Sequence, residues 1–538
     1  MIRSVLFLSA LCLPLTGATS GLETIVKTEA GLVAGSGTAI RVYKGIPFAA
    51  PPVGELRWKP PQPVKPWPGV LVAKNPSPVC PQSDRYHLGA QSEDCLKLNI
   101  WTSARSAGDK LPVMVWIHGG SFQVGATSQT VYDGEALAAQ GVVLVTIEYR
   151  LGIFGFLSHP SLSAESPHGV SGNYGLLDMV AALGWVKRNI AAFGGDPGNV
   201  TIFGESAGGA AVFLLLVMPQ ADGLFHKAIS ESGGIILPVP LKNEVDGIIP
   251  LEKQGEKLGI DVSVLRKMST AEVLSLAPWR NAGVGSGHRI LWSPVVDGWV
   301  LPDETSRLLQ TGRFHKVPFL AGTNADEGTL FNPPVKDLAS FRNYAQSLGV
   351  PADAALSHYP ASNDGEAHGA AAKLGGDVQF LLGTRTVLRE MAKANPKTFQ
   401  YYFTRVTGVG RQLGWGSFHT QEIALVFGNL PDSYFGAEPS SLFGDLGVKV
   451  DTYDDVDAAL SRTMSAQWVQ FAKTGDPNGQ GLPRWPRFNC DREAYLELGD
   501  RIVQVERLRK KQVEFLNKYA PDTTALKHAY TSVDESQK

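Results

Sequence analysis

The sequence predicts an α/β fold built on a mostly parallel sheet. Three short apolar runs rich in β-branched residues, Leu111–Ile117, 142–147 and 200–203, are typical of buried strands. Two other segments have helical patterns: residues 178–189 are amphipathic, and Ala207–Val217 is almost wholly apolar. Because strands and helices alternate along the chain, they indicate βαβ units, which form parallel sheets.

Two regions lie outside this alternation. Residues 330–418 are irregular, so we expect loops inserted around a binding site there rather than sheet. Residues 508–519 have the pattern of an amphipathic helix that packs on its own domain. No internal repeat, low-complexity tract or Gly/Ser-rich linker marks a domain boundary.

The composition is that of a soluble globular enzyme. Of 538 residues, 43% are apolar and 19% are charged. The 49 basic and 51 acidic residues nearly cancel, which disfavours nucleic acid or an anionic membrane as the main partner. We therefore expect a small and largely uncharged substrate.

The N-terminus has the pattern of a signal peptide. Arg3 precedes an apolar run at residues 5–15, and the small residues Thr16, Gly17 and Ala18 follow. A membrane anchor, the alternative, needs about 20 apolar residues, more than this run provides. We expect residues 1–18 to be removed and the mature chain to be secreted, extracellular or periplasmic, with no membrane span.

The cysteines are consistent with export. Cys12 leaves with the signal peptide, and Cys80 with Cys95 is the natural disulfide pair because the two flank the polar stretch 81–94. Closing a loop of this length contributes about 3 kcal/mol on the chain-entropy model. Cys490 lies in an apolar and aromatic context, so we expect a buried, inert thiol.

A nucleophile elbow is the strongest chemical motif. Gly204-Glu205-Ser206-Ala207-Gly208 lies between the strand at 200–203 and the helix that begins at Ala207. Glycines are needed where strand and helix approach closely, and the helix N-terminus carries a partial positive charge that suits a developing anion. This context identifies Ser206 as a nucleophile rather than part of an ordinary glycine-rich turn.

A second motif follows the strand Leu111–Ile117. It reads His118-Gly119-Gly120-Ser121-Phe122, and a Gly-Gly turn alone is usually only a turn. Paired with the elbow, its backbone N–H groups predict an oxyanion hole together with the N–H of Ala207.

With these motifs, the chain resembles the type-B carboxylesterases, the cholinesterase-like branch of the α/β-hydrolases. The resemblance covers almost the whole mature chain. It rests on co-linear motifs at Gly45-Ile46-Pro47-Phe48, Pro51-Pro52-Val53-Gly54-Glu55-Leu56-Arg57-Trp58, Ser92-Glu93-Asp94-Cys95-Leu96, Tyr149-Arg150-Leu151-Gly152, Asn173-Tyr174-Gly175-Leu176-Leu177-Asp178, Phe193-Gly194-Gly195-Asp196-Pro197 and Gly475-Asp476-Pro477. It implies a single α/β-hydrolase domain over residues 19–538, with a mixed and mostly parallel sheet flanked by helices.

The resemblance also implies the partners of Ser206. The family's acid lies in an Asp-Glu-Gly segment, which matches Glu327, and its base lies in a His-x-x-Glu segment, which matches His419. The chain order nucleophile, acid, base agrees with α/β-hydrolases in general. Order alone leaves four histidines open: His358, His368, His419 and His528. His358 and His368 lie among loop-forming residues, and we expect them to be solvated.

Several further roles follow from the family. The oxyanion donors are the N–H groups of Gly120, Ser121 and Ala207, although Ser121 stands where the family often has a third glycine. Ser232 matches a serine near the acid–base pair, where its hydroxyl could support Glu327. Arg57 with Glu93, and Arg150 with Asp178, resemble structural ion pairs. Neither metal nor cofactor is expected.

These residues predict a secreted serine carboxylesterase that hydrolyses small-molecule esters through an acyl-enzyme. The stretch 166–179 resembles bacterial secreted esterases of the fumonisin-esterase type, so a specialised polycarboxylate (tricarballylate) esterase is an alternative. It would need basic residues in the pocket, and the candidates are Arg280, Arg289, Arg405 and Arg411. A non-catalytic cholinesterase-like binding protein is a remote alternative, since such proteins lose triad residues. The sequence defines no oligomeric state.

Overall fold

A computed structural model describes residues 25–83, 88–234, 239–244, 249–277, 292–331, 333–430 and 453–519. The strands are β1 (Ile25–Lys27), β2 (Leu32–Ala34), β3 (Arg41–Pro47), β4 (Val70–Val72), β5 (Lys97–Thr102), β6 (Leu111–Ile117), β7 (Val143–Ile147), β8 (Gly195–Glu205), β9 (Lys227–Glu231), β10 (Val239–Pro240), β11 (Val295–Val296), β12 (Phe319–Asn324), β13 (Thr398–Phe403), β14 (Ala494–Leu498) and β15 (Ile502–Glu506).

The helices are α1 (Glu135–Ala138), α2 (Gly152–Phe156), α3 (Pro160–Glu165), α4 (Tyr174–Asn189), α5 (Ala207–Val217), α6 (Leu251–Glu256), α7 (Val262–Leu265), α8 (Thr270–Ser275), α9 (Thr305–Gln310), α10 (Leu338–Ser347), α11 (Ala352–His358), α12 (Asp364–Gly376), α13 (Leu382–Ala394), α14 (Gly408–Leu413), α15 (Ile423–Phe427), α16 (Asp455–Thr474) and α17 (Lys510–Tyr519). A π-helical turn at Asp377–Leu381 joins α12 to α13.

A large mixed sheet forms the centre of the fold. Within the described residues its strand order is β15-β14-β13-β12-β9-β8-β6-β7-β5-β3. The run from β14 to β7 is parallel throughout, whereas β15 at one edge and β5 and β3 at the other pair antiparallel. The predicted mixed, mostly parallel sheet flanked by helices is therefore confirmed.

Both faces of the sheet are buried, as a parallel sheet requires. Strand β6 illustrates this, because Val115 packs with one hydrophobic cluster and its neighbour Trp116 with another on the opposite face. Helices α4 and α5 cover the first face, and every residue of α5 is buried. Helices α15 and α16 cover the second face.

The central strands and helices agree closely with the bounds predicted from the sequence. Strand β6 and helix α5 have the predicted bounds, and α17 occupies the predicted C-terminal helix with its apolar side buried. Helix α4 begins four residues earlier than the amphipathic pattern, at Tyr174, and β8 extends the predicted strand at both ends.

The expectation of loops at residues 330–418 is wrong. This region contains the helices α10 to α14 and strand β13, which lies inside the main sheet. His358 and His368 consequently lie on helices and are half-buried, with the His358 ring stacked on Phe515 at 4.3 Å. The prediction failed because α12 contains four glycines, which are typical of loops. Gly375 and Gly376 are buried where neighbouring groups approach too closely for a Cβ atom.

The cross-links agree with the sequence. Cys80 and Cys95 form a disulfide bond with their Cα atoms 5.1 Å apart, whereas Cys490 is half-buried rather than fully buried and contacts the Arg389 carbonyl. Arg57 pairs with Glu93 at 2.5 Å, and Arg150 with Asp178 at 2.7 Å. No helix within the described residues has the length and apolarity that a membrane span requires.

Candidate active site

The motif residues meet at one edge of the parallel sheet. Ser206 directly follows β8, the loop from His118 follows β6, Glu327 follows β12, and His419 lies in the connection after β13. Because these four strands are parallel, their carboxyl ends lie along the same edge. The fold thus gathers residues that are up to 301 positions apart, from His118 to His419.

Ser206 occupies a strained turn. Its backbone has φ 55° and ψ −122°, which only a tightly constrained non-glycine residue adopts. Its N–H donates to the Glu231 carbonyl at 3.0 Å. A Cβ atom on Gly208 would stand 1.9 Å from the Ile117 carbonyl oxygen, so the elbow requires glycine there. The strain holds the Ser206 side chain at the strand end, where it is half-buried.

Glu327 and His419 form a short, buried pair. Glu327 Oε2 lies 2.6 Å from His419 Nδ1, and the side chains are only 4% and 2% exposed. The N–H of Asn324 donates to Glu327 Oε1 at 2.8 Å and fixes the carboxyl. The other ring nitrogen, His419 Nε2, lies 3.2 Å from Oε1 of Glu205, the neighbour of Ser206. The imidazole therefore lies between Glu327 and the turn that carries Ser206.

Two phenylalanines cover the imidazole of His419. The ring centroid of Phe380 lies 4.5 Å from that of His419, and the ring centroid of Phe331 lies at 5.1 Å. Phe380 belongs to the π-helical turn between α12 and α13. Such turns insert one extra residue and redirect side chains, often at functional sites. Neither aromatic residue was found by sequence reasoning.

The oxyanion loop packs against the nucleophile. A Cβ atom on Gly119 would lie 3.0 Å from the Cβ of Ser206, so only glycine allows this approach. Gly120 has φ 105°, and its carbonyl accepts the N–H of Val124 at 3.0 Å, which closes a tight turn. Ser121 has φ 58°, in the left-handed region that glycine favours. The serine at this position thus keeps a glycine-like backbone.

Sequence reasoning missed a cluster of buried carboxyls around the triad positions. Glu205, Glu231 and Glu422 are each at most 1% exposed and lie close to Glu327. Burial raises the pKa of Glu205 and Glu231 well above the ordinary value, and neighbouring carboxyls raise it further. Burial, with Glu327 nearby, raises the pKa of Glu422 to about 7.

Two members of this cluster accept hydrogen bonds. Trp468 Nε1 donates to Glu231 Oε1 at 2.7 Å, and Asn324 Nδ2 donates to Glu422 Oε2 at 2.5 Å. The only sequence signal for this cluster was that each glutamate lies close in sequence to a predicted site residue. Glu205 lies inside the elbow, Glu231 precedes Ser232, and Glu422 lies three residues after His419.

Ser232 lies within the site but not on Glu327. Its hydroxyl donates to Glu422 Oε1 at 3.4 Å, and its N–H donates to the Gly322 carbonyl at 2.9 Å. Any support that the hydroxyl gives the acid–base pair passes through the carboxyl of Glu422.

The chain is similar to known proteins in sequence. The sequence model of the carboxylesterase family matches residues 22–516. Fumonisin B1 esterase of Sphingopyxis macrogoltabida is 40% identical over 492 residues, which is 89% of this chain and 87% of that protein. Para-nitrobenzyl esterase of Bacillus subtilis (strain 168) is 37% identical over 494 residues, covering 89% of this chain and 95% of that protein.

Solved structures agree. A structure of PNB esterase, 33% identical, superimposes with a TM-score of 0.74 over 92% of this chain and 100% of that one. This chain therefore belongs to the carboxylesterase family, as a type-B carboxylic ester hydrolase with the α/β-hydrolase fold.

Proposed function

We propose that the protein is a secreted serine carboxylesterase that works through an acyl-enzyme, with Ser206, His419 and Glu327 as its triad. The hydrogen-bond distance between His419 and Glu327, beside the strained Ser206 turn, is the observation that carries this proposal. Because the chain is an ester hydrolase, the non-catalytic alternative is disfavoured.

Acylation begins when Ser206 Oγ attacks the ester carbonyl carbon. The hydroxyl proton passes to His419 Nε2, while the Nδ1–H of His419 continues to donate to Glu327, whose carboxylate stabilises the imidazolium. The N–H groups of Gly120, Ser121 and Ala207 receive the oxyanion. When the tetrahedral intermediate collapses, the carbon–oxygen bond to the alcohol breaks and His419 protonates the departing oxygen.

Deacylation repeats these steps with water. Water attacks the acyl-Ser206 ester as His419 takes one of its protons, and the carboxylic acid leaves when Ser206 Oγ regains that proton. The cycle needs no cofactor. In total, one ester and one water molecule give one carboxylic acid and one alcohol. The enzyme returns to the protonation state in which it started.

The test combines activity with covalent labelling. Wild type should hydrolyse p-nitrophenyl esters from acetate to octanoate, and Ser206→Ala should abolish turnover. A fluorophosphonate probe should label the peptide that contains Ser206. Ser232→Ala is the matched control, because it removes another serine of the site and should leave labelling intact. Label on any peptide without Ser206 would refute the assignment.

Glu327→Gln tests the acid separately. The amide keeps the shape but favours the wrong histidine tautomer, and the corresponding change in a serine protease lowers kcat by about 10⁴. We expect a loss of about 10³- to 10⁴-fold here, with KM little changed. A loss of kcat of less than about tenfold would show that Glu327 is not the acid of the triad.

A specialised polycarboxylate esterase is the second candidate, supported by the similarity to fumonisin B1 esterase. Of the four candidate arginines, Arg405 already pairs with Asp454, Asp457 and Asp500. Arg411 donates to the Val406 carbonyl. Arg280 and Arg289 lie outside the described residues and remain the candidates for binding a polyanionic acid.

The second candidate has a direct test. A tricarballylate ester is compared with a neutral ester of similar size, in wild type and in Arg280→Gln and Arg289→Gln. A selective loss on the tricarballylate ester would support polycarboxylate specificity. Equal kcat/KM for the two esters in wild type would exclude it and leave simple esters as substrates.

Secretion and domain organisation complete the proposal. The predicted signal peptide, residues 1–18, lies outside the described residues. The Cys80–Cys95 disulfide bond supports an oxidising compartment. N-terminal sequencing of protein recovered from periplasm or medium should begin near residue 19, and limited proteolysis should leave residues 19–538 as one domain. A mature protein that retains residues 1–18 would contradict the export proposal.

A further inference from the structure

A buried histidine–glutamate pair lies beneath the oxyanion loop, outside the triad. His118 directly precedes Gly119, and Glu148 directly follows β7. The side chains are 0% and 1% exposed, and His118 Nε2 stands 3.8 Å from Glu148 Oε2. Neither of these two atoms has a hydrogen-bond partner among the described residues. Two buried ionisable groups are costly unless they serve each other, and the mechanism above uses neither.

The imidazole of His118 holds one peptide of the loop. His118 Nδ1 lies 2.9 Å from the Gly119 carbonyl oxygen, and because that oxygen can only accept, Nδ1 carries the proton. The same peptide plane contains the N–H of Gly120. In a trans peptide the C=O and N–H point in opposite directions. Fixing the Gly119 carbonyl therefore fixes the direction of the Gly120 N–H, a proposed oxyanion donor.

Glu148 complements this tautomer. Its Oε1 accepts both the N–H of Thr127 at 2.8 Å and the Thr127 hydroxyl at 2.7 Å, so its acid proton belongs on Oε2, facing His118 Nε2. Burial raises the pKa of Glu148 to about 7 and lowers the pKa of His118 to about 4. Between these values both groups are neutral, and the acid proton faces the lone pair of Nε2.

The surroundings keep the ring in place. The His118 ring stacks on Tyr149 with centroids 4.5 Å apart, and the Tyr149 hydroxyl donates to the His118 carbonyl at 2.9 Å. Gly125 approaches the ring so closely that a Cβ atom there would lie 2.3 Å from Nδ1. The ring is therefore clamped, and the tautomer is the remaining variable that decides whether the Gly119 carbonyl is attracted or repelled.

We propose that His118 and Glu148 are a positioning pair, in which Glu148 fixes the Nδ1-protonated tautomer of His118 and that tautomer aims the Gly120 N–H at the oxyanion. This inference rests on the proposed function, because it assumes that Gly120 serves as an oxyanion donor.

The experiment compares three variants on p-nitrophenyl esters. Glu148→Leu removes the carboxyl group that faces Nε2, and His118→Phe keeps a stacked ring but loses the Nδ1 proton. Each should lower kcat about 10- to 100-fold with KM within about threefold, because a misaimed donor weakens only the transition state. Glu148→Gln is the matched control, since its amide can donate to Nε2 and accept from Thr127, and it should stay within about threefold of wild type.

A trifluoromethyl ketone inhibitor provides the specific readout, since its adduct with the nucleophile carries an oxyanion. Its affinity should fall in Glu148→Leu and His118→Phe by about the same factor as kcat. If these variants lower only the melting temperature and leave kcat and inhibitor affinity unchanged, the pair is merely structural and the proposal is overturned.

Neutron diffraction of wild-type crystals at pH 6 tests the proposal without any variant. Deuterium on Nδ1 of His118 and on Oε2 of Glu148 is the expected result, and deuterium on Nε2 of His118 would overturn it. The proposed function has its own readout: if Ser206→Ala retains wild-type activity, the acyl-enzyme mechanism fails, whatever the tautomer of His118.

Discussion

His419 Nε2 lies 3.2 Å from Glu205 Oε1, so the proposed base contacts a carboxyl group in addition to Glu327. Burial and the carboxyls of Glu422 and Glu327 raise the pKa of Glu205 well above its ordinary value. In the proposed mechanism His419 takes the Ser206 proton, and the positive charge that then appears beside Glu205 favours its ionised form. Glu205 is thus placed to stabilise the imidazolium that forms during the reaction.

Glu205→Gln should lower kcat about tenfold, because the amide keeps the hydrogen-bonding shape but cannot become negative, and tenfold corresponds to about 1.4 kcal/mol. KM should change little, since the charge appears only in the transition state. Steady-state kinetics on p-nitrophenyl butyrate measure both constants. An unchanged kcat would mean that Glu205 stays neutral throughout the cycle.

Phe380→Leu should lower kcat by about three- to tenfold. The aromatic ring lies 4.5 Å from the His419 ring, and its face favours the imidazolium over the neutral imidazole by a cation–π interaction of about 0.5–2 kcal/mol. Phe380→Tyr keeps the aromatic face and serves as the control, with kcat close to wild type. If both variants lose activity equally, the ring acts through packing and not through its charge distribution.

Glu231 should make the fold less stable as pH rises. Its pKa is raised in the folded protein by burial and by Glu422, so the folded state holds the proton more tightly than the unfolded chain. This contribution to stability is full below about pH 4.5. It is lost as pH rises towards the folded pKa, by up to about 1.4 kcal/mol per pH unit.

Glu231→Gln removes this titration and keeps an acceptor for Trp468 Nε1. The melting temperature of wild type relative to the variant should therefore fall between pH 5 and pH 8. Thermal unfolding of both proteins at the two pH values measures it. A constant difference between them would show that Glu231 is ionised in the folded state across this range.

The sequence predicted those helices and strands that are determined by the pattern of their own residues. Strand β6 is a continuous apolar run between Lys110 and His118, and helix α5 is one that begins after Ser206 and ends before Met218 and Pro219, so their ends could be located closely. The first half of β8, Gly195–Asn199, is polar and glycine-rich, so its local pattern does not predict a strand. In the fold Gly195 pairs with Leu111 of β6, and the register shifts before Val200.

The carboxyl cluster could not be predicted for a related reason. A charged residue is exposed by default, and burial becomes possible only when distant partners are supplied. Glu231 receives its hydrogen bond from Trp468, 237 positions away, and Glu422 from Asn324, 98 positions away. The triad positions, in contrast, came from motifs with a fixed local pattern and from the family resemblance.

Helix α12 packs against the turn that carries Glu327. A Cβ atom on Gly376 would lie 2.9 Å from the Gly328 nitrogen and 3.1 Å from the Glu327 Cβ. Gly376→Ala should therefore push the turn that carries Glu327 away from His419 and lower kcat about tenfold or more, since small misplacements of catalytic groups are costly.

Gly369→Ala is the matched control on the same helix, because no heavy atom lies within 4 Å of a Cβ atom at that position. Alanine favours a helix over glycine by up to about 1 kcal/mol, so this variant should keep wild-type kcat and melt at the same or a slightly higher temperature. Kinetics and thermal melting of the two variants separate the effects. Equal kcat values would show that α12 can retreat without moving Glu327, whereas a loss confined to Gly376→Ala would support the close packing of α12 as the device that holds the acid against His419.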